Sequence, residues 1–107
     1  MYRVYFTFPM DSTVFDGEGC KKWAKETYDK LGADCLGYSV GLADLIETQP
    51  VYPNTFKAMV QFDFVGRIES FDAFDSNGRE DKFLKILDAM CEFTDKAPTI
   101  SGAFLAE

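Results

Sequence analysis

Histidine does not occur among the 107 residues, and with it goes the side chain that most readily moves protons near neutral pH. Ser-His-Asp and Cys-His arrangements and His-carboxylate iron sites are excluded on the same ground. No glycine-rich phosphate cradle occurs either: Gly17-Glu18-Gly19 follows no strand closely enough to form part of one and reads as a loop. What remains for chemistry is phenol, amide, thioether and indole. Tyr5 and Tyr38 carry hydroxyls that could donate to a carbonyl or quinone oxygen, although rings at such positions ordinarily pack in a strand with their hydroxyls in water. Met59 and Gln61 alternate with core positions on one strand, and a sheet face carrying Tyr, Met, Ser and Gln suits a small molecule. Trp23 completes the candidate ligand-binding set, and its place in a helical apolar stripe makes core packing its ordinary role.

The three cysteines, Cys20, Cys35 and Cys91, are odd in number, widely spaced and without a Cys-x-x-Cys pair. They read as reduced thiols of a cytoplasmic protein, with Cys20 and Cys91 on apolar helical faces as small buried groups. No metal ligand set is evident, and no cofactor is expected. The acidic stretch from Asp75 to Asp81 lacks the spacing of a calcium loop and reads as a turn.

The elements that must position these residues follow from two periodicities. Tyr2 to Phe8 alternates as a strand, with Tyr2, Val4, Phe6 and Phe8 on one face and Arg3, Tyr5 and Thr7 on the other. From about Glu18 to Leu31 the period lengthens, and Cys20, Trp23, Ala24, Thr27, Tyr28 and Leu31 make a helical stripe that Gly32 ends. Glu18/Lys22 and Glu26/Lys30 fall at ion-pair spacing on the opposite, solvated side. Strands are predicted at Leu36 to Leu42 and Phe56 to Phe64, separated by a loop around residues 48–54. A short helix at Ile68 to Phe74 is followed by a turn at Ser76-Asn77-Gly78, and a second long helix carries Phe83, Ile86, Leu87 and Met90. Thr99 to Leu105 is the last strand.

This β-α-β-β-α-β order predicts an α+β, ferredoxin-like domain: a four-stranded antiparallel sheet, the first and third strands central, helices on one face. Residues 1–107 form a single domain. The face left bare by the helices would carry Tyr5, Thr7, Gly37, Ser39, Gly41, Met59, Gln61, Ser101, Ala103 and Leu105, with charge confined to Arg3, Lys57 and Asp63 at strand ends. It is too poor in charge for an ordinary solvated surface and too polar for a dry core, so a second copy of the chain is the expected cover. The net charge of −7 opposes nucleic acid and anionic lipid as partners. No apolar run is long enough for a membrane span, and the first residues do not form a secretory leader. Aromatic residues make up 16% of the chain, 11 of them Phe, and that many rings require burial or a ligand.

Over most of its length the chain resembles the EthD-like branch of the dimeric α+β barrel proteins. The residues that carry the resemblance are the Met1-Tyr2-Arg3-Val4 strand, Phe15-Asp16, Leu36-Gly37-Tyr38-Ser39-Val40 and Phe71-Asp72-Ala73-Phe74-Asp75-Ser76-Asn77-Gly78. Asp88, Phe93-Thr94 and Ala97-Pro98 complete it. The resemblance implies a small homodimer, and the nearly charge-free sheet face points to an apolar or aromatic molecule held between helices and sheet. The implied activity is that of a cofactor-independent, oxygenase-like or accessory enzyme of catabolism or biosynthesis. The alternative is a dimerisation or stress-related module without catalysis. The family's usual His-x-Pro-Leu segment in the first helix is absent, with Glu26 at the histidine position and Tyr28 at the proline. Glu26 is therefore the catalytic residue the resemblance offers, as a carboxylate base, against its ordinary role on a solvated helix face.

Overall fold

The computed structural model describes residues 1–43, 56–75 and 80–106. The loop around residues 48–54 and the Ser76-Asn77-Gly78 turn lie outside the described residues. The elements are β1 (Tyr2–Pro9), α1 (Gly17–Leu31), β2 (Cys35–Leu42), β3 (Phe56–Phe64), α2 (Arg67–Asp75), α3 (Glu80–Ala89) and β4 (Thr99–Phe104). The strands form one antiparallel sheet in the order β2-β3-β1-β4. The two most aromatic strands are thus central, as their composition demands. The ferredoxin-like α+β arrangement expected from the sequence is the arrangement present.

The helices begin and end for local reasons. Asp16 caps α1, its carboxylate accepting from the Glu18 amide at 3.2 Å, and this satisfies one of the donors a helix start leaves without a partner. Cys20, Trp23, Ala24, Thr27 and Leu31 are buried along one side of α1. At its end Gly32 adopts φ 77°, a left-handed conformation that a side chain would resist. On the outer side Glu18 pairs with Lys21 at 3.2 Å and Lys25 with Asp29 at 3.1 Å. The expected Glu18/Lys22 and Glu26/Lys30 pairs do not form. Long exposed side chains choose among neighbours at little cost, so spacing alone does not select the partner.

Phe6, Phe8, Phe62, Phe64, Phe93, Ile86, Val60 and Cys20 are the large, fully buried side chains of the core. Trp23 stands at its centre, with its ring 5.4 Å from Phe6 and 5.9 Å from both Phe8 and Phe93. The first two are edge-on, and pairs of this kind contribute roughly 0.5–1.5 kcal/mol each beyond simple burial. The indole nitrogen donates to the Ile86 carbonyl at 2.9 Å, which joins α1 to α3 through a buried hydrogen bond.

Two expectations from periodicity are corrected. The strand alternation puts Leu36 on the same face as Tyr38, Val40 and Leu42, yet Leu36 is exposed and Cys35 is buried. The ladder shifts register between Cys35 and Gly37, and the one extra residue turns Leu36 outward. Cys91 is exposed rather than buried. The chain tightens into a 3-10 turn at Met90–Glu92, which rotates residue 91 off the apolar stripe while Met90 stays within it.

Candidate active-site cleft

On its helix side the sheet is covered unevenly. The aromatic core occupies the β2, β3 and β1 portion, whereas the residues of β4 remain largely exposed. Between this thinly covered edge and the pair α2/α3 lies a cleft of about 550 Å³, within the range of small-molecule sites. Its floor is Val4 and Phe6 of β1 with Gly102 of β4. In the ladder Gly102 lies opposite Val4, and Ile100 opposite Phe6.

Phe74 builds the inner wall. Its ring lies 6.0 Å from Phe6, 5.8 Å from Phe64 and 6.0 Å from Phe83, so it seats α2 on the sheet and carries α3 against α2. Phe71, one turn earlier on α2, is 67% exposed at the cleft, and Leu84 of α3 faces it. Helix α2 is apolar on more than one side: Ala73 is buried, while Ile68 and Phe71 are exposed. Such a helix packs inward with one stripe and leaves the other for a further contact.

Three side chains supply polarity. Ser70 is buried and its hydroxyl donates to the Arg67 carbonyl at 2.7 Å, so it presents only lone pairs to the cleft. Tyr2 lays its ring beside β4, edge-on to Phe104 at 4.9 Å. The close approach requires glycine at 102, because a Cβ there would collide with the Tyr2 ring and hydroxyl. Ser101 borders the cleft, although its side chain lies on the opposite face in register with Tyr5, and Arg67 is the only charged residue among the described lining. Among the described lining residues there is no carboxylate and no thiol. Elsewhere, no described group of three or more His, Cys, Asp or Glu side chains is placed to hold a metal ion. The arrangement can enclose and orient a flat apolar molecule, and it offers a phenol and a guanidinium as donors.

The residues singled out from the sequence do not gather here. Trp23 is in the core. Tyr38 is on the helix side but on β2, at the other end of the sheet from β4, with its ring 4.9 Å from Tyr28. Glu26 is exposed on α1, its nearest cation being Lys22 at 4.0 Å. Tyr5, Met59 and Gln61 are brought together, but on the opposite, helix-free face, where Tyr5 lies across from Gln61. Gln61 accepts from Ser39 at 3.3 Å and donates to the Met59 sulfur at 3.7 Å. Rows of four cross this face, Ser39–Gln61–Tyr5–Ser101 at its middle and Gly41–Met59–Thr7–Thr99 beside it. The charges of the third row cancel, since Arg3 and Asp63 form a two-pronged pair at 2.6 and 3.2 Å. Asp63 is the first cause that favours the charged form of Arg3.

Sequence reasoning passed over Phe71, Phe74, Phe83, Arg67 and Gly102. The available signals were Ile68 and Phe71 standing outside any single stripe of α2, and a glycine inside the last strand.

No family model matches the sequence, and no curated protein matches it. Solved structures do share its fold. An EthD-like protein from Ralstonia eutropha superposes with a TM-score of 0.74 at 23% identity, over 95% of this chain and 88% of that one. An antibiotic biosynthesis monooxygenase, so described with reserve, from Nitrosomonas europaea gives 0.59 at 10% identity over 100% of both chains. A dimeric protein of unknown function and ferredoxin-like fold from Bacteroides fragilis gives 0.55 at 13% identity, over 97% of this chain and 94% of that one. The resemblance to EthD-like proteins thus holds in three dimensions, at the level of the fold. No helix among the described residues is long and apolar enough to cross a membrane.

Proposed function

We propose that the chain is one protomer of a homodimer that binds an apolar or aromatic small molecule in the cleft between α2, α3 and the β1/β4 edge. The reading extends to an oxygenase-like or accessory role in catabolism or biosynthesis, performed without metal or nucleotide in a cytoplasmic setting. The observation that carries it is the cleft itself: about 550 Å³ with walls of Phe74, Phe83 and Leu84 over a floor of Val4, Phe6 and Gly102. Apolar walls of that extent gain from excluding water, at roughly 25 cal/mol for each Å² covered. A likeness to an EthD-like protein and to a protein described as an antibiotic biosynthesis monooxygenase supports the same direction.

The homodimer is supported by the helix-free face. Its middle rows are small or uncharged, and its one charged cross-strand pair is already neutralised. Burial of these rows against a copy of the chain leaves no charge without a partner, provided that Lys57, at the strand end, stays in water. Tyr5, Met59 and Gln61 then belong to the subunit contact or to a space within it. A structure of the same fold is described as dimeric.

The lining favours binding and orientation over proton transfer, because its described residues include no carboxylate base. This supports the second reading, a non-catalytic module, at the expense of Glu26, which is exposed on α1. Native mass spectrometry tests both levels. The expected result is a dimer carrying an organic molecule or accepting aromatic probes. A monomer refutes the assembly, and a chain to which no apolar compound binds refutes the cleft as a site.

A further inference from the structure

We propose that the cleft selects aromatic molecules that carry an acidic group, such as a carboxylate, a sulfonate or an ionised phenol, and that Arg67 is the residue that reads this charge. The inference rests on the cleft being a ligand site and adds the chemical class of its occupant.

Among the described lining residues, which are mostly apolar and aromatic, Arg67 is the sole charged one. It occupies the first position of α2 and is exposed, so the guanidinium stands at the rim rather than in the core. Among the described residues it forms no salt bridge. The carboxylate two positions on, Glu69, turns back over Gly66. In a chain of net charge −7, a cation at an apolar rim with no acidic partner among the described residues is the feature a ligand anion would complete. A planar guanidinium offers two parallel donors that match a carboxylate or sulfonate and hold it in one orientation.

The rest of the lining fixes which way such a ligand lies. Ser70 has committed its hydroxyl hydrogen to the Arg67 carbonyl at 2.7 Å, so its lone pairs repel an anion that goes deeper than the rim. The inner space is walled by Phe74 and Phe83 and floored by Gly102, which suits a ring and no charge. The acidic group therefore sits at Arg67 and the ring points toward Gly102.

Two fluorescent probes of one skeleton test the idea: neutral anilinonaphthalene and its sulfonate. Both should bind the folded protein at one competitive site, and the sulfonate should bind about tenfold tighter, as a single charge-assisted contact provides. Arg67→Gln should abolish that preference without weakening the neutral probe. Lys22→Gln, on the exposed side of α1, should leave it intact and so control for overall charge. Equal affinities in the unaltered protein, or a preference that survives Arg67→Gln, would overturn the role of Arg67 while leaving the cleft as a site. Failure of both probes to bind would overturn the cleft reading and this inference together. Arg67 is exposed at a helix start, so the variant should fold, and an unchanged circular dichroism spectrum confirms that it has.

Discussion

Placing a methyl group on Gly102 tests how the cleft is held open. A Cβ at this position would overlap the Tyr2 ring and hydroxyl, and the ring is the movable partner because β4 is tied to β1 along its length. In Gly102→Ala the ring should swing away and give up its edge-on contact with Phe104, now at 4.9 Å, a loss of about 1 kcal/mol. Against that, alanine in a strand is favoured over glycine by roughly 0.5–1 kcal/mol, so the net change in the unaltered background should be small. In a Tyr2→Ala background nothing obstructs the methyl group, and the same substitution should stabilise by roughly 0.5–1 kcal/mol. The cycle of four proteins should therefore show a coupling of about 1 kcal/mol, measured by urea unfolding followed by circular dichroism. Coupling below about 0.5 kcal/mol, the range of independent sites, would refute the view that Tyr2 and Gly102 are fitted to one another.

Trp23→Phe should cost about 1–3 kcal/mol, because it leaves the buried Ile86 carbonyl without its donor at 2.9 Å. An unchanged urea midpoint would show that the bond contributes nothing. Cys91 is exposed and should react with a thiol reagent in the folded protein, whereas burial pushes Cys20 up to about 12 and should protect it until unfolding; equal rates for the two would contradict their placement. The Asp95 carboxylate accepts from the Thr13 hydroxyl and from the Thr13 and Val14 amides at 3.1 and 3.2 Å. These donors, the Thr13 hydroxyl first, hold its carboxyl below the ordinary value. A lowered folded value means that this stabilisation is complete above the ordinary carboxylate range near about pH 4 and fades as the pH falls below it. The stability gap between the unaltered protein and Asp95→Asn should therefore shrink on acidification through that range. A gap independent of pH would show that the carboxylate charge is not what the loop uses.

The parts of this fold legible in the sequence are those in which one local rule acts alone. Phe56 to Phe64 alternates without interruption and is a strand between those same residues. The Cys20–Trp23–Ala24–Thr27–Leu31 stripe and Gly32 supply face and stop for α1, whereas Gly17-Glu18-Gly19, read as a loop, forms its first turn behind the Asp16 cap. The helix-free face was legible for the same reason, because strict alternation sorts residues between the two sides of a sheet. Leu36 and Cys91 were misread where a single extra residue or a tightened turn broke the period. The cleft was not legible at all. It is the space left between Tyr2, Phe74, Phe83 and Gly102, which are far apart in the chain, and no period records which pair of elements stops short of contact.

That space follows from how the helices divide the sheet. Trp23 joins α1 to the core over β1 and β3, and Phe74 seats α2 on the same central strands through Phe6, Phe62 and Phe64. Neither helix needs β4 for its burial, so β4 is attached through its ladder to β1 and by Tyr2, while its helix side stays open. The proposed ligand site and the proposed subunit contact therefore use opposite sides of the same strands: Val4 and Phe6 face the cleft, and Arg3, Tyr5 and Thr7 the bare face. A side chain changed on one side leaves the other side's lining in place, since successive residues of a strand point in opposite directions. Binding and assembly should accordingly be separable by mutation, and any coupling between them must pass through the backbone of β1, the strand on which both depend.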